Sequence, residues 1–273
     1  MQRTPSASAG GRDLVELNQR LSRHMGIIER CSIVSPKHGR LLLATPPGAR
    51  YPYVYPRDCS CACQLFRRLA CSSNDYDCAP QAFDLLQSTA AFLRDVQEED
   101  GCWGQRYTIE GKSRSIYRQE DNIAHGVSII CNYLLAASGL GKPVSDLDAY
   151  LQAINRALSF AVQYVYQREL NLFESTTSIH ESALETGYTL WVNFSYLYAF
   201  SLADEVNREL DGGDLIDRQH LDFRAHFLYS VRELFMTGQR YVRRIEPGGR
   251  FDLRPDFTLL SPFYYGFVED EDE

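Results

Sequence analysis

At 273 residues, of which 44% are hydrophobic, the chain can bury one large core or two modest ones without metals or disulfides. Its net charge of -8, together with the absence of any basic stripe, excludes a nucleic-acid partner, because phosphate binding needs clustered Lys and Arg. A neutral or cationic ligand suits this composition better.

The sequence carries no signal for a membrane partner. No apolar run approaches the roughly 18 residues that a membrane span requires. Residues 1–11 also lack the apolar core of a secretory signal. We therefore expect a cytoplasmic protein.

Eight cysteines all lie in the first half of the chain, whereas a disulfide framework would usually cover more of the fold. The spacing of Cys59, Cys61 and Cys63 invites a metal site. Residues two apart on a helix point in different directions, however, and no histidine lies close in sequence. We interpret these cysteines as small buried hydrophobes and expect neither a metal nor another cofactor.

The N-terminal region predicts a tail, a short helix and a β-hairpin. Residues 1–12 are rich in Ser, Ala, Gly and Thr, and residues 13–24 combine a helix cap with apolar spacing. Two β-prone runs, 27–34 and 40–45, flank a Ser-Pro-Lys-His-Gly turn. We assign residues 1–25 to the tail and short helix, and residues 26–273 to one domain.

The rest of the chain is predicted to be mainly α. A proline-rich stretch, 51–58, is forced out of helix and leads into the first of six long helices. The connections after the second and fourth helices are long, polar and rich in aromatic residues, whereas the others are short. This alternation is typical of a ring of helical hairpins. The predicted helices are Asp58–Cys71, Pro80–Gln97, Ile123–Leu140, Leu147–Tyr166, Tyr188–Leu210 and Leu215–Met236.

In such a ring every second connection returns to the same side, so the long connections are expected to meet at one end of the helices. Three segments would meet there: residues 51–58, 103–121 and 173–191. Each of them combines polar side chains with aromatic rings, which can hydrogen-bond and stack on a polyhydroxylated ligand.

The first two segments offer binding groups. Arg57 and Asp58 supply a donor fork and an acceptor at one point, able to hold vicinal hydroxyls of a terminal sugar; an internal salt bridge is an equal alternative. Trp103, Gln119 and Asp121 are a ring, an amide and a carboxylate that suit sugar binding. The alternatives are that Trp103 only packs and that Glu120 or Asp121 caps the next helix.

The third segment offers a candidate general acid, Glu174, which lies between an apolar residue and a serine hydroxyl. A solvated loop carboxylate is the alternative. His180 and Glu181 are expected to orient other groups or to be structural, although His180 can also donate to a sugar hydroxyl. Trp191 is expected to stack on a sugar ring.

These motifs resemble those of the glucoamylase-type glycoside hydrolases, family 15, which are rings of six helical hairpins. Residues 51–58, Tyr-Pro-Tyr-Val-Tyr-Pro-Arg-Asp, resemble the family's aromatic-Pro-Arg-Asp segment. Trp103-Gly-Gln-Arg-Tyr together with Gln119-Glu-Asp121 resembles its Trp-Gly and Gln-x-Asp loop. Leu172-Phe-Glu174 resembles its Leu-Trp-Glu-Glu loop. The order and spacing also agree, and the resemblance covers residues 26–265.

The resemblance implies a partial (α/α)6-toroid-like fold for residues 26–273, and inverting exo-hydrolysis of terminal α-linked glucose from an oligosaccharide or α-glucan. It implies that Arg57 and Asp58 bind that glucose and that Glu174 protonates the glycosidic oxygen. Phe173 replaces the family's Trp, and Ser175 replaces its second Glu. These two differences favour an isomaltose-type or dextran-type substrate.

The general base has no candidate in this chain, although inversion needs a second carboxylate about 6.5–9.5 Å from the acid. Our first hypothesis is therefore a partial catalytic domain, inactive alone, whose missing C-terminal half or partner chain supplies the base. Its open half ring would expose Val192, Leu197 and Phe200 and cause self-association. The second hypothesis is a non-catalytic glucan-binding or regulatory module. A third is another helical toroid, such as a terpenoid cyclase or prenyltransferase, whose metal-binding motifs are not evident.

Overall fold

The computed structural model describes residues 9–72, 76–177, 179, 185–210 and 215–267. Its α-helices are α1 (Ala9–Arg30), α2 (Pro56–Cys71), α3 (Ala79–Val96), α4 (Asp121–Gly139), α5 (Leu147–Phe160), α6 (Leu190–Glu209), α7 (Arg224–Leu234) and α8 (Ser261–Tyr264). Its strands are β1 (Ser32–Ser35), β2 (Gly39–Leu42), β3 (Tyr166–Gln167), β4 (Leu172–Phe173), β5 (Tyr188–Thr189), β6 (Met236–Thr237), β7 (Arg240–Tyr241), β8 (Arg244–Ile245) and β9 (Phe251–Asp252).

The helices form two layers. Helices α2, α4 and α6 pack side by side as an inner layer, and α3, α5 and α7 pack against them as an outer layer. Every residue from Asp121 to Ala137 in α4 is buried, because this helix lies between α2 and α6. The pairs α2–α3, α4–α5 and α6–α7 are successive helical hairpins, which confirms the predicted mainly α, toroid-like class.

Most predicted helices begin and end close to the observed ones, with two exceptions. The predicted helix 147–166 ends at Phe160, and a π-helical turn, Ala161–Val165, leads into β3, which pairs with β4. The predicted helix 215–236 is reduced to α7, preceded by a separate 3-10 turn. That turn is capped by Asp217, whose side chain accepts from the Gln219 amide at 3.0 Å.

The N-terminal helix is longer than predicted. Helix α1 begins at Ala9 and continues to Arg30, so residues 27–30 are helical and not part of the first strand. Its buried face explains the extension: Met25 is 2% exposed, and Leu21 and Ile28 pack against the same core at helical spacing. This packing outweighs the β propensity of the local sequence. The predicted hairpin follows, with Ser35 opposite Gly39 at its turn.

The inner face of α6 is covered, contrary to the prediction that an incomplete ring would leave it exposed. Val192, Leu197 and Phe200 are 1%, 0% and 0% exposed. Helices α4 and α7 cover one part of α6, and the C-terminal segment, residues 256–267, folds back over another. The predicted self-association through this face therefore loses its physical basis. Within the described residues, no helix is both long and apolar enough to span a membrane.

A small antiparallel sheet attaches the C-terminal segment to the inner layer. Strand β5, which leads directly into α6, pairs with β8, and β8 pairs with β9. Because residue 188 pairs with residue 245, a segment from much later in the sequence is fixed at the start of α6. This sheet brings the C-terminal segment to the end of the inner layer where the long connections converge.

Candidate active site

The three inner helices begin at the same end of their layer. Arg57 lies in the first turn of α2 and bonds to Asp121, the first residue of α4. Tyr196, in the second turn of α6, donates its hydroxyl to the backbone carbonyl of Glu120 at 2.6 Å. The three helix starts therefore lie together, as alternate helices of consecutive hairpins should. The segments that precede them meet there, as the connection lengths predict.

A buried ion pair joins the first two segments. Arg57 donates from Nε and Nη2 to the two carboxylate oxygens of Asp121, both at 2.9 Å, and the side chains are 9% and 1% exposed. Burial raises the pKa of Asp121, but Arg57 and His125 lower it further than burial raises it, so the pKa lies well below its usual range. The internal salt bridge considered for Arg57 is formed, and it holds the guanidinium in one orientation.

Glu120 ties the third segment to the second. Thr176 and Thr177 donate their hydroxyls to its two carboxylate oxygens, at 2.6 and 3.1 Å. The preceding residue, Ser175, exchanges two backbone hydrogen bonds with Gly187, at 2.8 and 3.0 Å. We call Glu120 with these two threonines the Glu120 clasp. It closes the base of the loop and holds it against the start of α4.

Glu174 is half-buried and follows β4 directly. Gln167, on the paired strand β3, donates its side-chain amide to Glu174 Oε2 at 3.1 Å. Burial raises the pKa of Tyr188, and the nearby carboxylate of Glu174 raises it further. A carboxylate held by one amide beside a tyrosine can exchange a proton with a ligand that reaches it.

The strand before Glu174 is anchored to α6. Asn193 accepts from the Phe173 amide at 2.8 Å and donates to the Phe173 carbonyl at 3.0 Å. The Phe173 ring stacks on Tyr196 with centroids 3.8 Å apart and an interplanar angle of 10°. These contacts are buried, so the backbone that carries Glu174 has little freedom to move.

A cleft of about 420 Å³ opens between the starts of α2 and α6. Asp58 is exposed at this cleft, whereas Arg57 and Trp191 are nearly buried. A carboxylate, a guanidinium and aromatic rings are the groups that bind polyhydroxylated ligands. Its lining includes Tyr51, Arg57, Asp58, Cys61, Ile179 and Trp191.

Four of the predicted site residues that the structure describes do not line this cleft: Trp103, Gln119, Asp121 and Glu174. Trp103 is 1% exposed, donates its indole N–H to the Leu93 carbonyl at 2.8 Å, and packs over Gly126. Burial of its ring leaves no face for a sugar, so the packing role considered for Trp103 applies. Gln119 is equally buried. Glu174 belongs to the same loop as Ile179, which does reach the cleft.

The predicted residues His180 and Glu181 lie outside the described residues. Glu185, at the end of the same loop, is buried and accepts a hydrogen bond from Arg243. Arg243 also donates to Asp252 at 2.7 Å. Hydrogen bonds from Arg254 and Arg243 hold the pKa of Asp252 well below its usual range. Glu185 is therefore committed to an ion-pair network.

The cysteines of α2 divide between two faces. Cys59 and Cys63 are fully buried, in agreement with their interpretation as small hydrophobes, whereas Cys61 lines the cleft. Positions two apart on a helix cannot share a face, which explains the difference. Across the described residues, no three His, Cys, Asp or Glu side chains come together as a metal site would require.

Solved structures of glycosidases resemble this chain. One glycosidase matches over 94% of this chain and 67% of its own, with a TM-score of 0.62 at 14% identity. The glucoamylase of Hormoconis resinae matches over 86% of this chain and 40% of its own, with a TM-score of 0.63 at 14% identity. A bacterial glucoamylase complexed with acarbose matches over 78% of this chain and 30% of its own, with a TM-score of 0.51 at 14% identity. The fold is that of glucoamylase-like glycosidases.

This likeness concerns the fold, since 14% identity carries no information about activity. No sequence family model matches the chain. No curated protein matches its sequence either. The chain spans less than half the length of each of the two glucoamylase structures.

Within this glucoamylase-like fold, the sequence reasoning did not assign a site role to three residues that lie beside the predicted ones: Glu120, His125 and Tyr265. Helical spacing could have found His125, because it lies one turn after Asp121 and its Nε2 is 3.3 Å from Asp121 Oδ2. Glu120 directly precedes the predicted residue Asp121. Its two threonine partners are distant in sequence, so no local pattern indicates their bonds. No local pattern indicates Tyr265, whose ring lies 5.4 Å from that of Trp191.

Proposed function

We propose that this chain binds the non-reducing terminal glucose of an α-linked oligosaccharide or polysaccharide. We infer that it belongs to an inverting exo-glycosidase of glucoamylase type in which Glu174 is the general acid. One observation supports this above all. The Arg57–Asp121 pair and the Glu120 clasp bring the three predicted segments to one end of the inner helices, beside a cleft that Asp58 and Trp191 also line.

The binding chemistry follows from the cleft. Asp58 can accept hydrogen bonds from two vicinal hydroxyls, and a carboxylate accepts such bonds more strongly than a neutral oxygen does. Arg57 is held by two bonds to Asp121, so its orientation needs no rearrangement when a ligand binds. Trp191 adds a flat apolar ring to the wall. A neutral sugar fits this set of groups.

The proposed acid is Glu174. Gln167 holds one carboxylate oxygen, and the bonds between Asn193 and Phe173 fix the backbone just before it. A general acid must reach the glycosidic oxygen while the sugar is held, which requires a fixed backbone next to the binding groups. The loop that carries Glu174 also contributes Ile179 to the cleft lining.

The general base must come from another carboxylate, on the opposite face of the sugar. Of the described carboxylates near this end, Asp121 is paired with Arg57 and Glu185 with Arg243. Two threonines hold Glu120, and Asp58 is assigned to binding the sugar hydroxyls. We therefore propose that a C-terminal half or a partner chain supplies the base, and that this chain alone binds without turnover. The engagement of these carboxylates in other contacts also favours a second candidate function, a glucan-binding module without catalysis.

The test compares hydrolysis of maltose and isomaltose by the chain alone and by the protein assembled with its proposed second half. In the assembled protein, Glu174→Gln should lower kcat by roughly a hundredfold or more. Glu169→Gln makes the same chemical change at an exposed position of the β3–β4 turn and should leave the rate unchanged.

Each result decides one part of the proposal. Turnover by the chain alone would contradict the need for an external base. An unchanged rate in the Glu174→Gln variant would remove Glu174 as the acid. If the assembled protein binds maltose and does not hydrolyse it, the binding module is the correct function.

A further inference from the structure

A second pocket, of about 560 Å³, lies on the outer layer of helices. It is bounded by the last turns of α5, by the π-helical turn that follows them and by the 3-10 turn Arg218–His220. Among the described residues, this outer pocket and the cleft between α2 and α6 share no lining residue. The site described above therefore does not account for the outer pocket.

The π-helical turn gives the outer pocket an exposed aromatic wall. Ala161 and Val165 of this turn are buried, whereas Gln163 and Tyr164 are exposed and line the pocket. Tyr164 is 64% exposed. π-Helical turns are rare, and they occur frequently at functional sites. An irregular turn that presents an exposed ring to a pocket indicates a binding surface.

The ring of Tyr164 has a supported neighbour but remains accessible. Phe160 lies beside it, with centroids 4.7 Å apart and an interplanar angle of 40°. The Arg118 guanidinium lies over the Phe160 ring, 4.5 Å from its centroid, and donates to Asp100 at 3.1 Å. No described residue bonds to the Tyr164 hydroxyl or to the Gln163 amide. The ring and the amide are therefore available to a ligand.

The opposite wall is tied to α5 at two points. Asn155 donates to the Leu215 carbonyl at 3.1 Å and accepts from the Asp217 amide at 2.9 Å. One turn further along α5, Ser159 Oγ lies 3.4 Å from His220 Nε2. The two walls are thus held in place before any ligand binds, which lowers the cost of binding.

The opposite wall also offers polar groups. Asp217 and Gln219 are exposed at the pocket. Each carboxylate oxygen of Asp217 accepts one hydrogen bond from Gln219, so each keeps a lone pair for a ligand hydroxyl. Burial lowers the pKa of His220 more than Asp217 raises it, which leaves the imidazole uncharged at neutral pH.

The lining selects a class of ligand. Among its described residues, two carboxylates, Asp100 and Asp217, outnumber one guanidinium, that of Arg156, which donates to Gln97 at 2.6 Å. An anion is therefore repelled. Amides, carboxylates and an exposed ring together match the hydroxyl groups and the apolar face of a neutral sugar.

We propose that the outer pocket is a second carbohydrate-binding site, which anchors a neutral glucan chain by stacking on Tyr164 and by hydrogen bonds to Gln163 and Asp217. This inference rests on the proposed function for the identity of the ligand as an α-glucan. It goes beyond that function, because the pocket binds outside the cleft and takes no part in hydrolysis. One exposed ring binds a single sugar weakly, so the site contributes most with a polymer, which presents many sugars.

The test measures how strongly soluble amylopectin in a native gel retards the full chain. Tyr164→Ala removes the stacking ring and should lower the apparent affinity roughly five- to tenfold. Gln163→Ala removes one amide and should lower it roughly threefold. Both side chains are exposed, so neither change should alter the thermal midpoint.

Tyr229→Ala is the matched control, because it removes a tyrosine ring that is 66% exposed on α7 and does not line the outer pocket. It should be retarded as the wild type is. Asp58→Asn changes the cleft and leaves the outer pocket intact. In that background Tyr164→Ala should lower the affinity by the same factor, because independent sites contribute additively.

The outcomes separate this inference from the proposed function. Wild-type affinity in both Tyr164→Ala and Gln163→Ala would overturn the second site and leave the glycosidase proposal intact. Equal losses in Tyr164→Ala and Tyr229→Ala would also overturn it, since any exposed ring would then serve. A wild-type chain that polylysine retards and amylopectin does not would overturn it in favour of a cationic partner. Losses confined to the pocket variants, with no hydrolysis of maltose by the assembled protein, would support the second site and refute the catalytic proposal.

Discussion

Replacing Asp121 with Asn tests the buried ion pair that joins the starts of α2 and α4. The substitution keeps the shape of the side chain and removes its charge. Arg57 then stays buried beside a neutral amide, having lost a charged partner with two bonds of 2.9 Å. Removing one partner of a buried ion pair lowers the free energy of unfolding strongly, because the other charge stays buried without compensation. Replacing both partners by apolar residues of similar size changes it much less.

The expected cost is about 3–5 kcal/mol of the free energy of unfolding. This figure follows from burial, since the two side chains are 9% and 1% exposed. The control is the Glu16–Arg20 pair of α1, whose side chains are 62% and 68% exposed. Glu16→Gln should cost less than about 1 kcal/mol, because water screens an exposed pair.

The pair also predicts a dependence on pH. The pKa of Asp121 in the folded protein lies below its unfolded value, so the stabilisation is fully present above the unfolded pKa, which is about 3.9. It is lost as the pH falls further toward the folded pKa. The Asp121→Asn variant cannot titrate at this position. Its stability should therefore fall less steeply below about pH 4 than that of the wild type.

Urea unfolding, monitored by circular dichroism, gives the free energy of unfolding by linear extrapolation to zero urea. A cost for Asp121→Asn no larger than that for Glu16→Gln would refute the reasoning. The double variant Arg57→Met with Asp121→Leu should recover most of the loss, because it removes both charges and retains the packing. A double variant as unstable as the single one would show that another contact of Asp121 causes the loss.

Two further changes test the packing of α4 and the loop beside it. Gly126→Ala should cost roughly 1–3 kcal/mol, because a Cβ there would come within 2.3 Å of the Trp103 ring. Gly139→Ala, in the same helix, meets only one side-chain atom at 3.9 Å and should not destabilise; equal thermal shifts for the two variants would contradict the packing. Glu120→Ala removes the two threonine bonds and should speed amide hydrogen exchange in residues 174–177 by roughly tenfold, whereas unchanged exchange would show that the clasp does not hold the loop.

Much of the helical architecture could be predicted from the sequence because its signals are local. Pro56 begins α2, and the extended residue before it marks the boundary. The π-helical turn at Ala161–Val165 could not be predicted, since it accompanies the pairing of two-residue strands that no periodicity reveals. The start of β1 was predicted too early, because the packing of Met25 decides the length of α1.

The site could be predicted at the level of which segments meet, and less well at the level of which side chains bond. Connection lengths indicate that Arg57 and Asp121 lie near each other, but the bidentate pair between them depends on the offset of two helices. Trp103 shows the limit of local reasoning. Its burial depends on Gly126, which belongs to a later helix and permits the close approach of the indole ring.

The C-terminal segment explains both the wrong prediction for α6 and the missed residue Tyr265. An open inner face was expected because only helices were considered as cover for it. In the structure, β8 pairs with β5, and the chain then returns over the start of α6, where Tyr265 meets Trp191. Covering the apolar face of α6 and packing against the ring of Trp191 are therefore a single packing arrangement. It follows that a change that detaches this segment should expose the α6 core and the Trp191 ring together.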